Sequence, residues 1–115
     1  MHKKNINLTL FTNNLRGVFS LKYLIKKGVK VNNIIISKKN LNFKVINFLE
    51  NKKIKYILIK NIKNKKVFKV LKKTDLGLVC GFPHIFKKRH LKLPSYGLIN
   101  LHAGKLPEYR GGSPL

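Results

Sequence analysis

Short apolar runs alternate along this chain with stretches whose apolar residues recur at helical spacing, and that alternation limits the possible folds more than any other feature. Residues 6–11, Ile-Asn-Leu-Thr-Leu-Phe, read as a strand that ends at Thr12-Asn13-Asn14. Leu15, Val18, Phe19, Leu21, Leu24 and Ile25 then fall on one helical stripe, and Gly28 stands where a helix carboxy-terminal cap belongs. Residues 31–37, built on Ile34-Ile35-Ile36, predict a second strand; Leu41, Val45, Phe48 and Leu49 predict a second helix. Residues 54–59 predict a third strand, Val67, Phe68, Val70 and Leu71 a short third helix, and residues 76–80, introduced by Asp75, a fourth strand. Past Gly81 the texture changes to a loop, Phe82-Pro83-His84-Ile85-Phe86, then a short basic helical piece and a turn at Pro94-Ser95-Tyr96-Gly97. Residues 98–101 predict a fifth strand. Strands alternating with helices at this spacing form an α/β fold, a Rossmann-like open and mostly parallel sheet with helices on both faces.

The 115 residues suffice for one domain with one core and are too few for two of ordinary size. No apolar run approaches the roughly 20 residues of a membrane span. The amino terminus has the charge of a secretory leader but neither its apolar core nor a small-residue cleavage site, so a cytoplasmic protein is expected. Cys80, the single cysteine, has no partner for an internal disulfide and reads as a small core residue. No metal is expected.

A formal net charge of +23 would ordinarily point to nucleic acid or an anionic membrane. Here lysine outnumbers arginine 23 to 3 and is spread over every segment, whereas a nucleic-acid site gathers arginine on one face among aromatics. The charge is therefore read as solvated lysine on all faces, with a basic nucleic-acid-binding domain as the alternative from another class. The field favours anionic partners in general and does not choose among them.

In open α/β sheets ligands gather at the carboxyl ends of the strands, where Gly81-Phe82 and Asn100-Leu101-His102 are expected to face each other. Asn100 and His102, two apart on a strand, project from one face. An asparagine amide can donate to a developing oxyanion, and a histidine of ordinary pKa can carry protons near neutrality. Alone, such a triplet says little, since a histidine at a strand end is ordinarily a half-buried polar residue.

The longer context is more specific. Asn100, His102, Leu106, Pro107, Tyr109, Arg110, Gly111 and Pro114 stand at the spacing of N-x-H-x-S-L-L-P-x-Y/W-R-G followed by proline, so the stretch resembles the signature of the 10-formyltetrahydrofolate-dependent formyltransferases. Gly104 and Lys105 depart from its serine and leucine. Gly81-Phe82-Pro83-His84-Ile85-Phe86 is similar to a second family segment, often G-F-M-R-I-L, which borders the folate pocket. The resemblance implies that residues 1–115 are the formyltransferase amino-terminal domain, with 10-formyltetrahydrofolate as formyl donor. It implies cofactor contacts from Phe82, His84, Ile85, Phe86, Leu106 and Pro107, and catalysis by Asn100 and His102. It also implies an orienting aspartate some three dozen residues past the histidine; the chain runs 13 residues past His102, so a fragment truncated before that aspartate, inactive alone, is expected.

Among acceptors, the glycinamide ribonucleotide branch is disfavoured because Thr12-Asn13-Asn14-Leu15-Arg16-Gly17 replaces its glycine- and serine-rich loop and Tyr109-Arg110-Gly111 its tyrosine-proline-glycine. The amine of a nucleotide-linked sugar is the first expectation and initiator methionyl-tRNA the alternative.

Overall fold

The three inner strands of the sheet are buried almost throughout, with mostly apolar side chains on both sides of the backbone, so they must be covered on both faces, and helices supply the cover. In the computed structural model, which describes residues 5–101, the elements run β1 (Leu8–Thr12), α1 (Leu15–Lys26), β2 (Asn33–Ser37), α2 (Phe43–Asn51), β3 (Ile57–Ile59), α3 (Lys65–Lys73), β4 (Leu76–Cys80), α4 (Lys88–Leu91) and β5 (Leu98–Asn100). They form one sheet in the order β3-β2-β1-β4-β5, and every pairing is parallel. The predicted alternation is thus realised as an α/β Rossmann-like sheet.

Adjacent residues of β1 feed opposite cores, as the two-residue period of a strand requires. Leu10 packs with Val18 and Leu21 of α1, Val45 and Leu49 of α2, and Ile34, Ile36 and Leu78 of the sheet. Phe11 packs on the other face with Ile35, Ile59 and Val79 and with Val67 and Leu71 of α3. Each of these side chains stabilises the fold by about 1.5–3 kcal/mol through burial. At the amino-terminal end of the sheet, the Asp75 carboxylate accepts the Asn7 amide at 2.8 Å and the Ser95 hydroxyl at 3.4 Å, tying the starts of β1, β4 and β5 together.

Asn14 caps α1, its side chain accepting the amides of Arg16 and Gly17. The helix ends as predicted at Gly28, whose φ of 79° lets its amide reach the Ile25 carbonyl while Val29 returns to Leu24. The third strand is shorter than its apolar run. After α2 the same termination is built on Lys53 at φ 56°, and the Ile54 amide is bonded to the Leu49 carbonyl at 2.8 Å, so residues 54–56 belong to the helix end and the connection. No helix among the described residues is long and apolar enough to cross a membrane.

Candidate functional site

The strand order reverses at β1. From β1 the chain moves outward through β2 and β3, then returns to place β4 on the other side. The segment after β1 becomes α1, packed on one face, while Phe82 and Phe86 after β4 pack on the opposite face. Two neighbouring loops that part in this way open a crevice at the carboxyl ends of the strands.

Side-chain amides fix its floor. Asn13 is buried; its Nδ2 donates to the Ser37 and Lys39 carbonyls at 2.9 and 2.6 Å, and its Oδ1 accepts the Ser37 amide at 2.8 Å. The Asn13 amide donates to the Gly81 carbonyl at 3.2 Å. Gly81 has φ 63° and lies so close to the Asn14 side chain that a β-carbon would overlap the amide. The ends of β1, β2 and β4 are thereby held as one rim.

A cavity of about 280 Å³ opens beside this rim, lined by Val79, Phe82, His84, Ile85, Phe86, Leu91, Leu98 and Asn100. Its walls are aromatic: Phe82 and Phe86 stack at 5.8 Å with 15° between planes, and both meet Phe11 edge-on, at 5.4 and 5.0 Å. Ile85 is 83% exposed at its edge, an apolar side chain left in water. The lining is mixed, and two polar side chains belong to it. Asn100 is exposed at the end of β5, paired in register with Val79, and the following amide, Leu101, donates to the Val79 carbonyl at 2.7 Å. His84 Nε2 lies 2.7 Å from Ser37 Oγ, its ring meeting Phe82 edge-on at 5.3 Å. Burial, and then the charge of Lys39, hold the His84 pKa below its ordinary value. An apolar slot with a few convergent polar groups is the usual form of a small-molecule site.

Of the residues singled out in the sequence, Phe82, His84, Ile85, Phe86 and Asn100 meet at this cavity. His102, Leu106 and Pro107 lie outside the described residues. Two contributors carry no motif. Ser37 reaches His84 across 47 residues of sequence. His90, on α4 and fully buried, accepts the Lys87 amide on Nδ1 at 3.0 Å and lies 3.0 Å from the Ile62 carbonyl through Nε2. It stacks on Phe68 at 4.6 Å and supports Phe86 edge-on, so it buttresses the cavity wall. Its only sequence signal was a histidine in a basic helical piece. Cys80 is buried with its thiol pKa pushed up by desolvation, opposed by Ser20 and Arg16 beneath α1, as suits a core thiol. A larger cavity of about 490 Å³ on the α1 face is lined mainly by apolar groups, with Arg16, Ser20 and Tyr23 as the residues that carry polar atoms.

No family model matches the chain. Individual relatives do: it is 29% identical over 105 residues to the methionyl-tRNA formyltransferase of Thermotoga neapolitana, covering 83% of this chain and 34% of that one. The chain resembles a formyltransferase amino-terminal domain. The methionyl-tRNA formyltransferase of Caldicellulosiruptor saccharolyticus is 44% identical over 54 residues, 45% of this chain and 17% of the relative. That of Clostridium beijerinckii is 51% identical over 43 residues, 37% of this chain and 14% of the relative. The chain therefore spans about a third, or less, of the length of the formyltransferases it matches.

Proposed function

We propose that this chain forms the formyl-donor side of a 10-formyltetrahydrofolate-dependent formyltransferase, a single domain working in the cytoplasm, with the acceptor amine on initiator methionyl-tRNA. The observation that carries the reading is the meeting of the Gly81 to Phe86 segment with Asn100 around one aromatic cavity at the crevice of the sheet. At about 280 Å³ the cavity is just below the size range of drug-sized pockets, about 300–1,000 Å³, and suits a flat ring system rather than a whole folate. Phe82 and Phe86 offer that ring apolar walls, and His84 and Asn100 offer polar contacts.

When bound, the folate supplies a formyl carbon on a nitrogen leaving group. Asn100 would donate its amide N–H to the oxygen on which negative charge develops as the acceptor amine adds, a contact that strengthens toward the transition state. By the resemblance, His102 would take the proton from the attacking amine and deliver it to the leaving nitrogen. Leu106 and Pro107 would close the folate pocket.

A nucleotide-linked amino sugar was the first expectation from the sequence. The relatives' names favour methionyl-tRNA instead; the net charge of +23 suits either anionic acceptor and does not choose between them.

Calorimetry with 5-formyltetrahydrofolate, a stable analogue of the donor, tests the cavity. Saturable binding that is lost in Asn100→Trp, which fills the cavity from an exposed position, is expected. Absence of binding, or binding indifferent to that substitution, overturns the assignment. Transfer of labelled formyl to methionyl-tRNA rather than to a nucleotide amino sugar, by the enzyme containing this chain, decides the acceptor.

A further inference from the structure

The meeting of Ser37 and His84 has a chemical consequence. Ser37 is fully buried, where a hydroxyl is costly unless it is hydrogen-bonded. Its oxygen already accepts the Lys39 amide at 3.0 Å, and its own proton needs an acceptor. The ring nitrogen 2.7 Å away, Nε2 of His84, is placed to be that acceptor. An imidazole accepting through Nε2 is neutral and carries its proton on Nδ1. Desolvation and the nearby Lys39 charge both oppose a cationic ring, in agreement. Phe82 packs edge-on against the imidazole and limits its rotation. Among the described residues Nδ1 has no hydrogen-bond partner, while His84 lines the cavity.

We infer that Ser37 is a positioning residue that holds His84 as its Nδ1–H tautomer, and that His84 uses this N–H as a specificity-determining donor to a carbonyl oxygen or ring nitrogen of the heterocycle in the cavity. This rests on the reading of the cavity as a folate site. The donor selects ring systems that present an acceptor at that point, because an apolar or donor edge there would leave the N–H unpaired in a partly desolvated place. Ser37 does not touch the ligand; its effect passes through the tautomer.

Two measurements on the full chain test the inference. Long-range nitrogen-15 NMR of labelled histidine should show His84 with a protonated Nδ1 and an unprotonated Nε2, and Ser37→Ala should shift the ring toward the Nε2–H form. Finding wild-type His84 as the Nε2–H tautomer overturns the inference. Binding of 5-formyltetrahydrofolate is compared in two isosteres: His84→Asn carries an amide N–H near the position of Nδ1, and His84→Gln carries one near Nε2. His84→Asn should bind within about threefold of wild type, whereas His84→Gln and Ser37→Ala should bind about tenfold more weakly, the effect of one lost hydrogen bond. Thermal melts establish that each variant is folded. Equal affinity in all four proteins removes the donor role while leaving the folate site standing; no binding by the wild type removes the folate site itself, and the donor role with it.

Discussion

Gly17 in α1 sits directly against Thr12 at the end of β1, so close that a β-carbon on Gly17 would overlap Oγ1 of the threonine. Thr12 is buried and branched at its β-carbon, and has little room to yield. Gly17 is the third residue of α1, where alanine gains at most the roughly 1 kcal/mol over glycine of a helix interior. Here the overlap outweighs that gain, and Gly17→Ala is expected to destabilise the domain by about 1–3 kcal/mol. Urea unfolding should show a lower midpoint at unchanged slope.

The opposite sign is expected at Lys53. Its φ of 56° places a lysine in the left-handed region at the end of α2, at a cost of roughly 1–2 kcal/mol. Lys53→Gly should therefore raise stability, by about 0.5–1 kcal/mol once the greater freedom of glycine in the unfolded chain is deducted. The same unfolding experiment reads it.

His90 satisfies a backbone donor and a backbone acceptor from within the core. Replacement by leucine preserves much of the volume but strands both groups, so His90→Leu is expected to cost about 2–4 kcal/mol. Because the ring supports Phe86, folate-analogue affinity should fall too, measured below the melting range of the variant.

Stability should depend on pH through His84. Its folded-state pKa lies below the ordinary 6.5 because burial and Lys39 oppose its charge. The unfolded chain then binds the proton more readily, so the contribution of neutral His84 is complete above pH 6.5 and is lost as pH falls through the lower folded value. His84→Asn removes the titration. The difference in urea midpoint between wild type and this variant should be constant at pH 7–8 and change, to the disadvantage of wild type, below 6.5.

For transfer itself, Asn100→Ala in the enzyme containing this chain is expected to lower turnover about a hundred- to a thousandfold, the usual effect of losing one oxyanion donor. Affinity for 5-formyltetrahydrofolate should change little by comparison. Near-normal turnover in rapid-quench assays of formyl transfer would remove Asn100 from the chemistry.

The hydrophobic periodicity of the sequence specified the alternation of strands and helices, because facing is a local property with a period of 2 or 3.6 residues. Residues 76–80 were legible to the residue, and Gly28 marked the end of α1, since only the left-handed φ of glycine is visible as a residue type. Lys53 performs the same task without that signal, so the apolar run begins at 54, ahead of the true start of β3 at 57. Asn100 and the segment 82–86 stand out in the sequence as motifs and line one cavity, but the partners that complete their surroundings carry no such signal. Ser37 meets His84 across 47 residues, Asn13 fastens the end of β2 across 24, and His90 reaches Ile62 across 28. Such contacts exist only because the sheet orders its strands β3-β2-β1-β4-β5. Periodicity records which side of an element is buried; which elements become neighbours at a strand end depends on the crossovers, and those are settled only when the whole sheet packs.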